Sequence, residues 1–147
     1  MNKRHLMLDS NVFDTLIKDD ELLIAIKDRA CTYITDIQVN ELSNIPDERK
    51  KREIFHVVDE IKPVILAHAL NFSHVSFSNI SFRSDDEKVA DFQNGHFDKF
   101  LEDALIAETA INNQITLVTN DTRFINRVKT MGYSCISLQE LMEYLFY

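Results

Sequence analysis

The chain has 147 residues, of which 45% are hydrophobic and 27% charged, the balance of a soluble globular protein long enough to bury one sizeable core. Its net charge of −8 excludes a protein that holds nucleic acid by bulk positive potential, but not a nuclease whose acidic site reaches phosphate through cations. No apolar run approaches the length of a membrane span, and Asp9 interrupts the N-terminus too early for a signal peptide. A single domain over residues 1–147 in the cytoplasm is therefore expected, with no membrane partner.

In chain order, Leu6-Met7-Leu8-Asp9 opens the protein with a short apolar run that ends in a carboxylate, which predicts a strand buried on both faces of a parallel sheet. Such sheets bind ligands just beyond the carboxyl ends of their strands, so Asp9 is placed at the mouth of a site with Asn11 close by. Val12, Phe13, Leu16 and Ile17 follow at helical spacing, with Ser10 as the expected cap. Asp19-Asp20-Glu21 opens a second helix, its acids matched to the positive end of the dipole.

Cys31 to Ile34 reads as a second strand, and Cys135 lies in a similar run near the C-terminus. Two cysteines without a spacing pattern are expected to be buried thiols in a reducing compartment. Thr35-Asp36-Ile37-Gln38 matches a capping box and opens a helix through Val39, Leu42 and Ile45 that carries Glu41 about one turn in. Asp47 to Lys62 is a charged helix with an apolar stripe of Ile54, Val57, Val58 and Ile61, closed by Pro63, and Val64 to Leu66 is a third short strand. Phe72 to Phe82 reads as extended structure or an irregular lid. Ser84-Asp85-Asp86-Glu87 forms another capping-box pattern, with Gly95 as a helix stop.

Phe97 to Asn113 is the clearest helix, with Phe100, Ala104, Ala107 and Ile111 on one face. Ile115 to Val118 is a strand followed by Thr119-Asn120-Asp121. A helix through Phe124, Val128 and Met131 then ends at Gly132. Tyr133 to Ile136 is the last strand, and Ser137-Leu138-Gln139-Glu140 caps a final helix through Leu141 and Leu145. Strands alternating with helices predict a doubly wound α/β sheet.

Asp9 and Asp121 each follow a strand, Glu41 lies early in a helix that follows one, and Asp103 precedes a core run on the longest helix. Four carboxylates converging on one crevice would repel each other unless a cation joined them, and an oxygen-rich, histidine-poor set suits Mg²⁺ or Mn²⁺ rather than zinc. The plainer reading is that 24 acids place several at helix and strand ends as caps and dipole partners. The five histidines show no metal-ligand spacing.

These stretches together carry a resemblance. Leu8-Asp9-Ser10-Asn11, the helix entry with Glu41-Leu42, Asp103-Ala104-Leu105-Ile106-Ala107-Glu108-Thr109-Ala110, and Thr119-Asn120-Asp121-Thr122-Arg123-Phe124 resemble, in order and spacing, the successive motifs of PIN-domain ribonucleases, most closely the VapC-like toxins of type II toxin–antitoxin pairs. The resemblance covers nearly the whole chain, apart from Phe72 to Phe82, and Asn120 stands in a variable position. It implies a three-layer α/β/α sandwich on a mainly parallel sheet, and Mg²⁺- or Mn²⁺-dependent hydrolysis of RNA that leaves a 5′-phosphate and a 3′-hydroxyl. The acidic tetrad it implies is Asp9, Glu41, Asp103 and Asp121, catalytic and metal-holding, with Asn11 and Thr119 as supporting polar groups. It further implies a cognate antitoxin and a homodimer.

Arg123 is the preferred phosphate contact, because its helix starts beside Asp121; Arg49-Lys50-Lys51-Arg52 reads first as a solvated helix face. The aromatic C-terminus, Leu141 to Tyr147, reads first as core packing, and any surplus aromatic patch would suit a homodimer face or an antitoxin groove. A haloacid-dehalogenase-type phosphatase would need a second aspartate where Asn11 stands, and a receiver domain would need paired acids after the first strand. A DNA-cleaving relative stays open, since no feature reads the 2′-hydroxyl. The alternative from another class is a PIN-like fold that binds RNA or protein without catalysis.

Overall fold

The structure, a computed structural model, describes residues 3–68, 99–130, 132 and 134–146. Among them, five strands form one sheet in the order β3-β2-β1-β4-β5: β1 (Arg4–Leu8), β2 (Ala30–Thr35), β3 (Val64–Leu66), β4 (Thr116–Thr119) and β5 (Cys135–Ser137). Every neighbouring pair is parallel; Leu6 pairs with Thr32 on one side and with Thr116 on the other, which makes β1 the central strand. Leu6, Met7 and Leu8 are completely buried, as a two-sided strand demands.

Strand alternation sorts the core into two layers. Leu6, Leu8, Ile34 and Val118 face one side, where they pack with Val12, Phe13 and Leu16 of α1 (Val12–Lys18), Leu22 and Ile26 of α2 (Asp20–Arg29), and Leu42 of α3 (Asp36–Ser43). Ile54, Val57 and Ile61 of α4 (Glu48–Ile61) and Leu138, Leu141 and Leu145 of the C-terminal helix α7 (Leu138–Phe146) complete that layer. Met7 and Leu117 face the other side, against Ala104, Ala107 and Ala110 of α5 (Lys99–Asn112) and Phe124, Ile125 and Val128 of α6 (Thr122–Thr130). The expected three-layer α/β/α sandwich is the observed one, with a sheet that is parallel throughout.

Local chemistry explains the element ends. Asp19 caps α2 by accepting from Leu22 N–H, and Asp47 caps α4 by accepting from Arg49 and Lys50 N–H. The predicted Thr35–Gln38 and Ser137–Glu140 capping boxes both form. Helix α4 ends on Lys62 at φ 49°, a left-handed residue ahead of Pro63 that cannot continue the helix. Several expectations change; among them, the last strand, read as Tyr133 to Ile136, is observed at Cys135–Ser137. The residue at the N-cap of α1 is Asn11, without a side-chain capping bond, because its amide is used elsewhere; Ser10 does not cap the helix. Helix α3 stops at Ser43, two residues short of Ile45, and β4 runs from Thr116 to Thr119, one residue later than read. The readings over Phe72 to Phe82, Ser84 to Glu87 and Gly95 lie outside the described residues.

Cys135 is buried on β5, and desolvation pushes its thiol up to about 12, against a smaller opposing pull from Lys129. Its thiolate is thus disfavoured in the folded state. The associated stability is complete below the unfolded thiol's pKa and falls as pH rises from there toward 12. In native protein at pH 8, thiol titration with an aromatic disulfide reagent is expected to modify the half-buried Cys31 alone, with Cys135 reacting only after denaturant is added. Fast modification of both thiols would contradict this burial.

Candidate active site at the carboxyl edge of the sheet

From β1 the chain moves outward through β2 to β3, then crosses to β4 and on to β5. The helices between β1 and β3 lie on one face and those flanking β4 on the other. The crevice beyond the carboxyl ends of β1 and β4 is therefore the topological switch point, where open α/β sheets place their ligands. Asp9 stands there, 2% exposed.

Asp9 is held by four bonds. Its N–H donates to Val118 O (2.9 Å), Ser10 N–H donates to Oδ1 (2.9 Å), the Thr119 hydroxyl donates to Oδ2 (2.7 Å), and its carbonyl accepts from Val12 N–H (3.0 Å). Thr119 is the hub of a wider network. Its Oγ1 accepts from Asn11 Nδ2 (3.3 Å) and from Asp121 N–H (3.0 Å) while donating to Asp9, so the proton and both lone pairs of the hydroxyl are used. Asn11 Oδ1 in turn accepts from Asn120 N–H (3.1 Å), and Asn120 Nδ2 reaches Thr15 Oγ1 (3.4 Å).

The structure thus gathers Asp9, Asn11, Thr119 and Asp121 into one hydrogen-bonded cluster. Asp121 also caps α6: its Oδ1 accepts from Arg123 N–H (3.0 Å) and Phe124 N–H (3.2 Å), which leaves Oδ2 outside the cap. Arg123 is exposed at the first turn of α6, on the same edge. Glu41 sits in α3, which rises directly from the end of β2, and Asp103 lies near the start of α5, which runs back toward β4 and so begins over the same edge. Asp103 is 4% exposed, and Glu41 Oε1 and Asp103 Oδ1 are both withdrawn from solvent. Both residues have further interactions.

Among the described residues, no three His, Cys, Asp or Glu side chains stand close enough to cage a metal ion as they are placed. The donor chemistry nonetheless fits a hard cation: the acids at this edge offer carboxylate oxygen, and Mg²⁺ characteristically binds one or two carboxylates while keeping several of its waters.

Three participants were not visible from sequence patterns. Gln38 is completely buried and donates from Nε2 to Leu8 O, so it does more than complete a capping box. Asn120, in the variable position, ties the end of β4 to α1. His68, just past β3, contacts both oxygens of Asp36 through Nδ1 (3.0 and 2.9 Å). Only the capping-box pattern hinted at the first; the other two depend on strand ends meeting in space.

No family model matches the chain, and no curated protein does. Solved structures do. The chain is similar to the Pyrobaculum aerophilum protein PAE2754 at 16% identity, covering 98% of both chains with a TM-score of 0.60. It is also similar to a PilT N-terminus domain protein from the archaeon Sulfolobus solfataricus, at 15% identity over 96% of this chain and 92% of that one, TM-score 0.53. The fold is that of a PilT N-terminus, or PIN, domain. The same fold is shared with a chain of VapBC2 from Rickettsia felis, solved bound to a promoter DNA fragment, at 19% identity over 90% of this chain and 97% of that one, TM-score 0.53.

Proposed function

We propose that this protein is a Mg²⁺- or Mn²⁺-dependent endoribonuclease, the toxin of a toxin–antitoxin pair. The observation that carries the reading is the clamped carboxylate of Asp9 at the switch point, fixed through Thr119 to Asn11 and Asp121. A buried carboxyl group with each oxygen fixed by one donor is held in a single orientation, and each oxygen keeps a lone pair that a cation could use. The fold shared with VapBC2 supports the toxin reading.

Asp9, Asp103 and Asp121 would hold the ion directly or through water, with Glu41 ligating it or orienting the attacking water. When bound, the ion would acidify a water and offset charge on the phosphate and leaving oxygens. The chain's own groups supply the rest. Thr119 fixes the Asp9 rotamer, Asn11 fixes Thr119, and Arg123, exposed at the N-terminal end of α6, would contact a phosphate of the RNA. The products would be a 5′-phosphate and a 3′-hydroxyl. Exposed Tyr144 and Phe146 on α7 and Ile24 on α2 offer apolar surface for a homodimer or an antitoxin. The proposed place of action is the cytoplasm; among the described residues no helix is long and apolar enough to cross a membrane.

The second reading is a PIN-like fold that binds RNA or protein without catalysis. Incubation with total RNA separates the two. Cleavage is expected in Mg²⁺ and is expected to vanish with EDTA; intact RNA in Mg²⁺, or cleavage indifferent to EDTA, would overturn the enzyme reading.

A further inference from the structure

We infer that Gln38 is a positioning residue for the metal-binding carboxylates, an inference that rests on the reading of this edge as a cation site. The side chain of Gln38 lies between the ends of β1 and β2. Its Oε1 accepts from Thr35 N–H (2.8 Å) and its Nε2 donates to the carbonyl of Leu8. The register that pairs Met7 with Tyr33 would bring these strand ends together, and the carboxamide fills the place of the next backbone bond of the ladder. Its own backbone N–H donates to Thr35 Oγ1 (3.2 Å), a separate capping bond at the helix start.

The carbonyl of Leu8 belongs to the peptide group that carries the Asp9 N–H. That group is gripped from both sides, by Gln38 on its oxygen and by Val118 O on its hydrogen. The backbone at Asp9 is therefore fixed, and with it the point from which the carboxylate projects toward Thr119 and Ser10 N–H. On the other side, Gln38 stands three residues before Glu41 on α3, a helical spacing that puts the two on neighbouring positions of one face. One buried amide thus ties the strand that bears Asp9 to the helix that bears Glu41. The bridge requires a donor and an acceptor at the end of a chain of this length. Methionine offers no donor and only a weak acceptor, and asparagine is one methylene too short to reach both strands.

The test is Mn²⁺ titration by calorimetry on the full chain, alongside thermal melting. The parent is expected to bind Mn²⁺; no binding by the parent would overturn the cation-site reading itself. Gln38→Met is expected to fold and to lose about 10–100-fold in Mn²⁺ affinity, the usual effect of removing an outer support. Thr35→Val removes a capping bond from the same helix but leaves the Gln38 bridge, and is expected to lower the Tm with Mn²⁺ affinity at the parent's. A folded Gln38→Met that binds Mn²⁺ as the parent does would overturn the inference, as would affinity lost in both variants in step with Tm. If Gln38→Met fails to fold, Gln38→Asn decides by the same criterion.

Discussion

Asp9→Asn is expected to cut Mg²⁺-dependent RNA cleavage by orders of magnitude while the protein stays folded. The substitution keeps the shape of the side chain and removes its charge. A carboxylate that anchors a catalytic cation contributes several kcal/mol of transition-state stabilisation. At about 1.4 kcal/mol per factor of ten, the rate should fall on the order of 10²–10³-fold. The same change disturbs the network in a definite way. Asp9 accepts from Ser10 N–H on one oxygen and from the Thr119 hydroxyl on the other. An amide has a single oxygen, so its NH₂ must face either Ser10 N–H or Thr119 Oγ1, whose lone pairs are taken by Asn11 and Asp121. One donor is left unmatched in either orientation, at about 1–3 kcal/mol, a drop of some degrees in Tm. Gel analysis of RNA products beside a melting curve separates loss of chemistry from loss of fold. A folded Asp9→Asn that cleaves at the parent's rate would remove Asp9 from the mechanism.

Much of this edge was legible in the sequence because its signals are local. The apolar run that ends in Asp9 forces a two-sided strand, and the carboxyl end of such a strand borders the ligand crevice. Capping boxes at Thr35 and Ser137 fixed two helix starts through bonds made within four residues. What was missed depends on contacts across the fold. Asn11 was free in principle to cap α1, yet its amide is drawn to Thr119, 108 positions away, and the helix starts without a side-chain cap. Gln38 carried a complete local explanation as a capping-box residue, which concealed its bond to Leu8, 30 positions back. Asp121 shows the converse. Its role as a cap of α6 is real, and so is its link to Thr119, so the plain reading and the functional one describe the same residue.

Thr119→Val is expected to damage stability and metal binding together. Valine fills the same space on β4 but has no hydroxyl, and the site is completely buried, so water cannot replace the lost bonds. The donation to Asp9 Oδ2 is charge-assisted and contributes about 1.5–3 kcal/mol. Its loss also strips the N–H of Asp121 and one amide proton of Asn11 of their acceptor. At about 2–4 °C per kcal/mol for a chain of this size, the Tm should fall by roughly 3–12 °C. Mn²⁺ affinity should fall by about 10–100-fold, because Asp9 is then free to leave the orientation that Thr119 imposes. Serine at the same position restores the hydroxyl without the methyl group, so Thr119→Ser should recover Mn²⁺ affinity more fully than Tm. That split follows from geometry: the oxygen orients Asp9, whereas the methyl group only packs. If Thr119→Ser and Thr119→Val bind Mn²⁺ equally, the hydroxyl does not orient the carboxylate, and the network at the switch point is scaffolding alone.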